Sequence, residues 1–251
     1  MQKKRPSDDA LKAIREILAH EANPVRATKM LTFFKTGKGQ YGEGDRFVGV
    51  SAPLLRTLSR RYRHLGIKAI EELLYAPIHE ERLLALFILV LQFKAGTPLE
   101  RKEIYTYYFK HITQVNNWDL VDTTAPHIVG AYLYKRDRAP LYQLAKSDIV
   151  WQRRIAMLST FYFIRQHDFA TTLSLANDLL DDTHDLIHKA VGWMLREVGN
   201  RELASLTNFL DKHAPAMPRT MLRYSIEKCT LAMRKAYMSI KNKRSPTLNL
   251  V

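Results

Sequence analysis

The sequence predicts an all-α protein in which helical repeats stack into a curved solenoid. Apolar residues recur at helical spacing along nearly the whole chain. Alternating β-branched segments bounded by turn residues, which would indicate strands, are nearly absent. From about residue 79 onward a longer helix is followed by a shorter one, with a period in the thirties of residues that is typical of HEAT-like units. Such an array leaves a concave face lined by the longer, inner helices.

Capping residues and early prolines mark where the first helices begin. Ser7 stands before DDALKAIREIL, Asn23 and Pro24 stand before VRATKMLTFF, and Ser51 stands before APLLRTLSRRY. Further helices are predicted near 67–75, 79–94, 98–113, 117–134, 138–146, 149–166, 169–180, 184–198, 201–213, 218–227 and 230–241. We expect one repeat domain over 1–241, followed by a basic C-terminal tail over 242–251.

The chain is strongly basic and carries a single cysteine. Its 39 Lys plus Arg against 25 Asp plus Glu give a formal net charge of +14 and a pI of about 9.8. This balance favours a polyanionic partner, either nucleic acid or an acidic membrane surface. The longest apolar run, 83–92, is too short to span a bilayer, and the basic start lacks a secretory apolar core. Because Cys229 is the single cysteine of the sequence, an internal disulfide framework and a cysteine-based zinc cluster are excluded.

One long irregular segment, 36–49 (TGKGQYGEGDRFVG), carries five of the ten glycines. It is predicted to be a loop that joins the second and third helices. Lys38 and Arg46 make it a candidate for contact with DNA. A solvated connector without a binding role is an equally open interpretation.

Four residues that could take part in catalysis or binding fall on one face of three consecutive inner helices. The openings of these helices, aligned at Trp118, Trp151 and Leu186, are 33 and 35 residues apart. In that frame the offsets are 0, 4, 3 and 7 for Trp118, Asp122, Arg154 and Trp193. Offsets 0, 3, 4 and 7 share a helical face, so two indoles, a carboxylate and a guanidinium would form one stripe.

Such a stripe suits a substrate that is already cationic, such as an N3- or N7-alkylated purine. Its glycosidic bond is weak without protonation of the leaving group, so the protein only has to stabilise cation character. Indole faces attract cations by ~0.5–2 kcal/mol per contact. Asp122 would stabilise the sugar cation and orient a water molecule, and Arg154 would hold a backbone phosphate.

Each of these residues also has an ordinary structural interpretation. Tryptophans are more often packing residues than cation binders. Asp119 and Asp122, near a helix start, would serve as caps or interact with the helix dipole. Arg154, next to Arg153, would be a solvated surface charge.

Three segments carry a resemblance to a known family: WDLVDTTAPHIVG (118–130), DIVWQRRIAML (148–158) and LIHKAVGWMLRE (186–197). In this order and spacing they resemble the signature segments of AlkD-like DNA alkylation repair glycosylases. Weaker similarity covers 23–37, 47–62 and 217–228, so the resemblance extends over nearly the whole chain.

The resemblance implies a concave array of HEAT-like repeats that excises cationic 3-alkyladenine and 7-alkylguanine. It implies that Trp118 and Trp193 are the indole pair that meets the lesion and that Asp122 is the catalytic carboxylate. It further implies that Arg154 binds phosphate and that Arg196 is the arginine of the LRE motif.

Further contacts to DNA are predicted for Arg153, Lys189 and Lys38, in addition to Arg154 and Arg196. Phe33 departs from the family, in which tyrosine can stand at this position, so a hydroxyl contribution is absent there. Nothing marks Lys189 as a desolvated nucleophile, so a lyase step is not expected.

We therefore expect a monofunctional DNA-3-methyladenine/7-alkylguanine glycosylase of base excision repair. Its partner would be double-stranded DNA with alkylated purines, and we expect a monomer without an obligate protein partner, membrane, metal or cofactor. Its location would be cytoplasmic, at a bacterial nucleoid. The main alternative is a non-catalytic HEAT-like DNA-binding protein. A protein-binding scaffold explains less of the charge, and a metal hydrolase is disfavoured because the nine histidines form no HExxH motif.

Overall fold

The computed structural model describes residues 6–242, and most of these are helical. Within that range there is no β-strand, and an isolated parallel bridge joins Arg46 to Ile78. The all-α fold class predicted from the sequence is confirmed. The chain divides into two compact units, with the boundary between Ile128 and Val129.

The first unit contains seven α-helices and a short 3₁₀ turn. Their bounds are α1 Pro6–His20, α2 Pro24–Phe33, α3 Ala52–Arg61, α4 Ile67–Leu74, α5 His79–Ala95, α6 Pro98–Lys110, the 3₁₀ turn Ile112–Gln114 and α7 Trp118–Asp122. Helix α5 is central, because α3, α4, α6 and α7 all pack against it. Its apolar run is buried on every side, with Leu84, Ile88 and Leu89 fully inaccessible, which explains why this helix has no polar face along that run.

The second unit contains the remaining eight helices. Their bounds are α8 Ala131–Leu133, α9 Ala139–Ala145, α10 Val150–Ile164, α11 Ala170–Asp178, α12 Asp185–Gly199, α13 Leu203–His213, α14 Arg219–Ser225 and α15 Leu231–Ser239. Helix α10 packs against α9, α11 and α12, and α12 packs in turn against α13 and α14. Neighbouring helix pairs that share a core in this way form the α-solenoid fold.

Helices α12 and α14 approach each other closely at Gly192. A Cβ atom at this position would lie 2.5 Å from the Cβ of Tyr224 and 2.6 Å from the carbonyl oxygen of Met221. Both distances are shorter than non-bonded carbon contacts allow. The absence of a side chain at Gly192 is therefore what sets the separation of the two helices.

The helix predicted over 117–134 is broken in the structure. Helix α7 ends at Asp122, a π-helical turn covers Pro126–Gly130, and α8 follows. Pro126 has no N–H to donate and its ring crowds the carbonyl four residues earlier, so it ends the regular ladder. Thr123 and Thr124 add to the break, because their hydroxyls hydrogen-bond the carbonyls of Asp119 and Leu120.

The predicted domain limits are only partly within the described chain. Of the predicted tail 242–251, only Asn242 is described, and its side chain donates a hydrogen bond to the carbonyl of Met217 at 3.3 Å. The single domain expected over 1–241 stays a prediction, as does the concave face.

Candidate functional site

Helix α7, which carries Trp118 and Asp122, is fixed at its N-terminus by Asn117. The Asn117 side-chain oxygen accepts a hydrogen bond from the N–H of Trp118 at 2.8 Å, and its side-chain nitrogen donates to Oδ2 of Asp45 at 2.8 Å. A helix of five residues does not hold itself in water, so its direction depends on such tertiary contacts. The loop passes close by at Gly42, where a Cβ would lie 3.3 Å from Nδ2 of Asn117.

The indole of Trp118 is half-buried against the end of α2. It stacks on Phe34 with ring centroids 5.0 Å apart and planes 9° from parallel. Phe33 meets it edge-on at 5.5 Å and is itself 64% exposed. On its other side Phe34 stacks on Phe47 at 4.9 Å. The departure at Phe33 therefore places a bare phenyl edge, without a hydroxyl, beside the indole.

Asp122 is the last residue of α7 and lies half-buried on the face that also carries Trp118. Its negative charge interacts electrostatically with the hydroxyl group of Tyr108. Burial, and to a smaller extent the charge of Asp122, raise the pKa of Tyr108. The Tyr108 hydroxyl pairs with Oγ1 of Thr124 at 3.0 Å, so this phenol is neutral and packed behind the helix.

Beneath Trp118 lies a buried group of charges that the sequence analysis did not identify. The ring of His79 is fully buried, with Nε2 2.8 Å from Oδ2 of Asp119 and Nδ1 3.1 Å from Oδ2 of Asp45. Arg82 pairs with the other oxygen of Asp45. Burial alone would lower the pKa of His79, but the charge and hydrogen bond of Asp119, joined by Asp45, raise it to about 9. His79 is therefore an imidazolium at neutral pH.

The pKa of Asp45 is lowered, as expected for a carboxylate that faces a charged His79. Burial would raise it, but the hydrogen bond from His79, the charge of Arg82 and the hydrogen bond from Asn117 lower it. The buried carboxylate is thus ionised and has donors on both oxygens.

The other charged residues of this first turn of α5 each secure a different part of the chain. The carboxylate of Glu80 accepts hydrogen bonds from the N–H groups of Val48, Gly49 and Val50 at 3.1, 2.7 and 3.2 Å. Glu81 pairs with Arg15 of α1 at 3.1 Å. All four residues of the sequence HEER, 79–82, are buried. The first turn of α5 is therefore the point where α1, α7 and the 36–49 loop are joined.

The loop 36–49 is thus firmly attached at one end and exposed at the other. Residues 37–40, which include Lys38, are exposed, whereas Asp45 is buried and Gly49 is held by Glu80. Arg46 has an exposed side chain, but its carbonyl accepts the N–H of His79 at 2.8 Å. A purely solvated connector does not describe the part of the loop from Asp45 onward.

In the second unit, Arg154 is only 5% exposed, so it is not the solvated surface charge that its sequence neighbourhood suggested as an alternative. One of its amino groups donates to the carbonyl of Leu186 at 2.6 Å, which links α10 to the first turn of α12. Trp193 is half-buried on α12, with Phe161 of α10 at 6.1 Å between ring centroids. Trp151 is buried as a core residue.

The other predicted DNA contacts in the second unit have acidic partners. Arg153 donates to Oδ2 of Asp182 at 2.6 Å and to the carbonyls of Ser147 and Asp148, and little of its side chain is exposed. Lys189 pairs with Asp185 at 2.6 Å, and Arg196 pairs with Glu227. Arg153 is thus mainly a brace between α10 and the segment before α12.

The structure places the predicted residues in two groups. Trp118, Asp122, Lys38 and Arg46 belong to the first unit, and the second unit holds Arg153, Arg154, Lys189, Trp193 and Arg196. The stripe that would combine Trp118 and Asp122 with Arg154 and Trp193 stays a prediction. The signal that could have revealed the buried charges was the run HEER directly before the most apolar segment of the chain.

The described part of the chain offers neither a metal-binding cluster nor a membrane-spanning helix. Residues 6–242 contain no group of His, Cys, Asp and Glu suited to hold a metal ion. Over the same residues, every helix is either too short or too polar to cross a membrane.

The comparisons with known proteins identify a family. Residues 14–229 match the model of the family described as DNA alkylation repair enzyme. A solved structure from Enterococcus faecalis, described as a predicted DNA alkylation repair enzyme, has a TM-score of 0.65 at 16% identity, with 84% of this chain and 98% of that chain covered. This likeness shows a shared fold.

A second solved structure, smu.31 from Streptococcus mutans UA159, has a TM-score of 0.49 at 14% identity, with 90% of this chain and 98% of that chain covered. No curated protein matches the sequence. The family model covers most of the sequence, including the segments that hold Trp118, Arg154 and Trp193, and the chain therefore belongs to the DNA alkylation repair enzyme family.

Proposed function

We propose that this protein is a DNA glycosylase that hydrolyses the N-glycosidic bond of cationic N3- and N7-alkylated purines in double-stranded DNA. Membership of the DNA alkylation repair enzyme family supplies the DNA substrate. The observation that carries the finer proposal is α7, on which a half-buried indole and a half-buried carboxylate share one face, four residues apart. This pair suits a positively charged reacting centre.

The reaction requires little acid catalysis. As the bond between C1′ and the purine nitrogen breaks, its electron pair neutralises the positive charge of the alkylated base, so no proton has to reach the leaving group. Positive charge then develops on the deoxyribose. The Asp122 carboxylate stabilises that charge and orients the water whose oxygen bonds to C1′, and the proton released by this water passes to Asp122 or to solvent.

The indoles act on the charge of the base. Each cation–π contact contributes ~0.5–2 kcal/mol, and the contact weakens as the base becomes neutral. Trp118 is well suited to this role because Phe34 holds its ring in a fixed plane. Trp193, on α12 beside Phe161, is proposed as the second indole.

Arg154 is proposed to hold the phosphate next to the lesion. Its hydrogen bond to Leu186 restrains the guanidinium, which reduces the entropy lost when it contacts DNA. Arg196 and Lys189 are proposed as further phosphate contacts in which a phosphate replaces Glu227 or Asp185 as partner. Lys38 would reach DNA from the exposed end of its loop.

An enzyme that recognises charge and backbone in this way does not need to enclose the base. We propose that excision proceeds with the lesion still stacked in the duplex, in contrast to enzymes that turn the base into a pocket. A complex with the alkylated base buried inside the protein would contradict this.

The decisive experiment measures release of free base from DNA that contains 7-methylguanine and 3-methyladenine, in the presence of EDTA. Wild-type protein should release both bases without cutting the strand, and Asp122→Asn should lower the single-turnover rate by about 100-fold. Asp178→Asn, an exposed carboxylate at the end of α11, is the matched control and should leave the rate unchanged.

The alternative function, a non-catalytic DNA-binding protein, predicts a different result. Neither wild type nor Asp122→Asn would then release base, while binding to the same DNA stays intact. Removal of the negative charge at Asp122 would in that case strengthen binding to phosphate rather than weaken it.

A further inference from the structure

The position of α7 raises a question that the proposed function does not answer, namely what holds the indole and the carboxylate in their orientation. Five helical residues cannot do this alone. Beyond the Asn117 cap, α7 is held in its first turn by a hydrogen bond in which Nε2 of His79 donates to Oδ2 of Asp119 at 2.8 Å.

The geometry around His79 requires two donors. Nε2 faces Asp119 and Nδ1 faces Asp45, and each carboxylate oxygen can only accept. A neutral imidazole has a single N–H, so it would satisfy one carboxylate and place a lone pair against the other, with an amino group of Arg82 at 3.4 Å as the nearest donor. The two carboxylates therefore favour the imidazolium, in agreement with the pKa of His79, which is raised to about 9.

The negative and positive charges in the group around the His79 ring are equal in number. Asp119 comes from α7, Asp45 comes from the 36–49 loop, and Arg82, with an amino nitrogen 3.4 Å from Nδ1, comes like His79 from the first turn of α5. Two carboxylates thus face an imidazolium and a guanidinium. The residue directly after α2 contributes an uncharged ring, Phe34, and the loop contributes a second, Phe47.

His79 reaches Trp118 by two separate routes. One passes through Asp119, which is the next residue after Trp118 on α7. The other passes through Phe34, whose ring lies 5.1 Å from His79 and 5.0 Å from the indole. A change in the charge of His79 thus acts on both the backbone of α7 and the surface on which the indole stacks.

We propose that His79, bridging Asp45 and Asp119 as an imidazolium, is a positioning residue that sets the orientation of Trp118 and Asp122 for base excision. The proposal rests on the proposed glycosylase function for its catalytic consequence, but not for its structural one. Buried ion pairs add little net stability over apolar residues of similar size, so a role in fixing geometry is the better account of this cluster.

The pH dependence of the reaction distinguishes positioning from mere stability. The pKa of His79 is raised to about 9, and Asp119 is the largest factor that raises it. Wild-type protein therefore keeps the imidazolium across the neutral range, whereas in Asp119→Asn the charge is lost at lower pH. An asparagine at 119 retains an oxygen that accepts from Nε2, so the contact itself survives at acidic pH.

The experiment compares single-turnover base release by wild type and Asp119→Asn between pH 6 and 8.5 on the same methylated DNA. Titration of the lesion cancels in the ratio of the two rates. The ratio should be within about threefold of one at pH 6 and should fall by about a further tenfold by pH 8.5, since misplacement of a catalytic group by about 1 Å can cost on the order of 100-fold. His20→Gln, an exposed histidine, is the control and should follow wild type throughout.

A second measurement tests the structural link without activity. The indole N–H resonance of Trp118, assigned with Trp118→Phe, should shift in wild-type protein with the same midpoint as the ring nitrogens of His79. If the enzyme releases no base but this shift occurs, the proposed function fails and the positioning role stands. The positioning role is overturned if the Trp118 resonance stays unmoved while His79 titrates. It is also overturned if the base-release rates of wild type and Asp119→Asn have the same pH dependence apart from a constant factor.

Discussion

The rings of Trp118 and Phe34 lie almost parallel, with their centroids 5.0 Å apart. Phe34 is the residue directly after α2, and it is 6% exposed although the helix before it has no buried residue. The end of α2 therefore joins the first unit through this ring. The neighbouring Phe33 touches the same indole but remains largely in solvent.

Replacement of the two phenylalanines should have very different consequences. Phe34→Ala removes a ring packed between Phe47, His79 and Trp118 and should lower the free energy of unfolding by about 3–5 kcal/mol. Phe33→Ala should cost less than about 1 kcal/mol, because most of that side chain is already exposed. Denaturant unfolding of the two variants provides the test, and equal losses would contradict the packing described here.

The buried imidazolium makes stability depend on pH in a defined direction. The pKa of His79 in the folded protein, about 9, lies above its ordinary value of 6.5, so the stabilisation is fully present below pH 6.5 and is lost as pH rises through 9. The loss should be on the order of a few kcal/mol over that range. It is measured as the difference in unfolding free energy between wild type and His79→Gln, which should shrink from pH 6.5 to 9. A constant difference would show that His79 does not titrate in this window.

The close approach of α12 and α14 predicts a sharp effect of one methyl group. Gly192→Ala places a Cβ 2.5 Å from Tyr224, so the helices must separate, and this should cost about 1–3 kcal/mol. Gly66→Ala is the matched control, because no atom lies within 4 Å of its added Cβ and its φ of −69° suits alanine. We expect that control to stay within about 1 kcal/mol of wild type in thermal unfolding, because the lower entropy of the unfolded chain offsets the poorer N-cap that alanine makes for α4.

Substitution of Arg153 should mainly lower stability, whereas substitution of Lys189 should mainly weaken DNA binding. Arg153→Gln breaks the brace to Asp182 and should lower the unfolding free energy by about 1–3 kcal/mol, with little change in how DNA binding depends on salt. Lys189→Gln removes a more exposed cation and should leave stability within about 0.5 kcal/mol of wild type. It should also lower the slope of log K against log salt by about 1. The opposite assignment of effects would make Arg153 the DNA contact.

Local sequence signals predicted most of the helices. Asn23 and Pro24 placed the start of α2 where the structure has it, and the apolar run beginning at Leu83 placed α5. The helix predicted over 117–134 was wrong because apolar spacing continues through a segment in which Pro126 cannot donate to the ladder.

The buried charges under Trp118 could not be derived in the same way. Periodicity treats acidic residues in the first turn of a helix as solvent-exposed groups that favour the helix dipole, which would be a sufficient account of Glu80 and Glu81. The partners of His79 are 34 and 40 residues away along the chain, so no local pattern links them. The sequence around Asp119 indicates a role as a cap or with the helix dipole, whereas in the structure its side chain also pairs with His79.

The anchoring of the loop by Glu80 has a consequence for how the molecule opens. Release of residues 48–50 exposes three amide groups and a carboxylate at once, so these amide hydrogens should exchange only when the whole segment leaves the Glu80 side chain. The tip at 37–40 is not bound by Glu80 and is held by local hydrogen bonds of Gly37 with Gln40 and of Gly39 with Glu43. The proposed contact of Lys38 with DNA would therefore be made from an exposed turn whose base is fixed to α5.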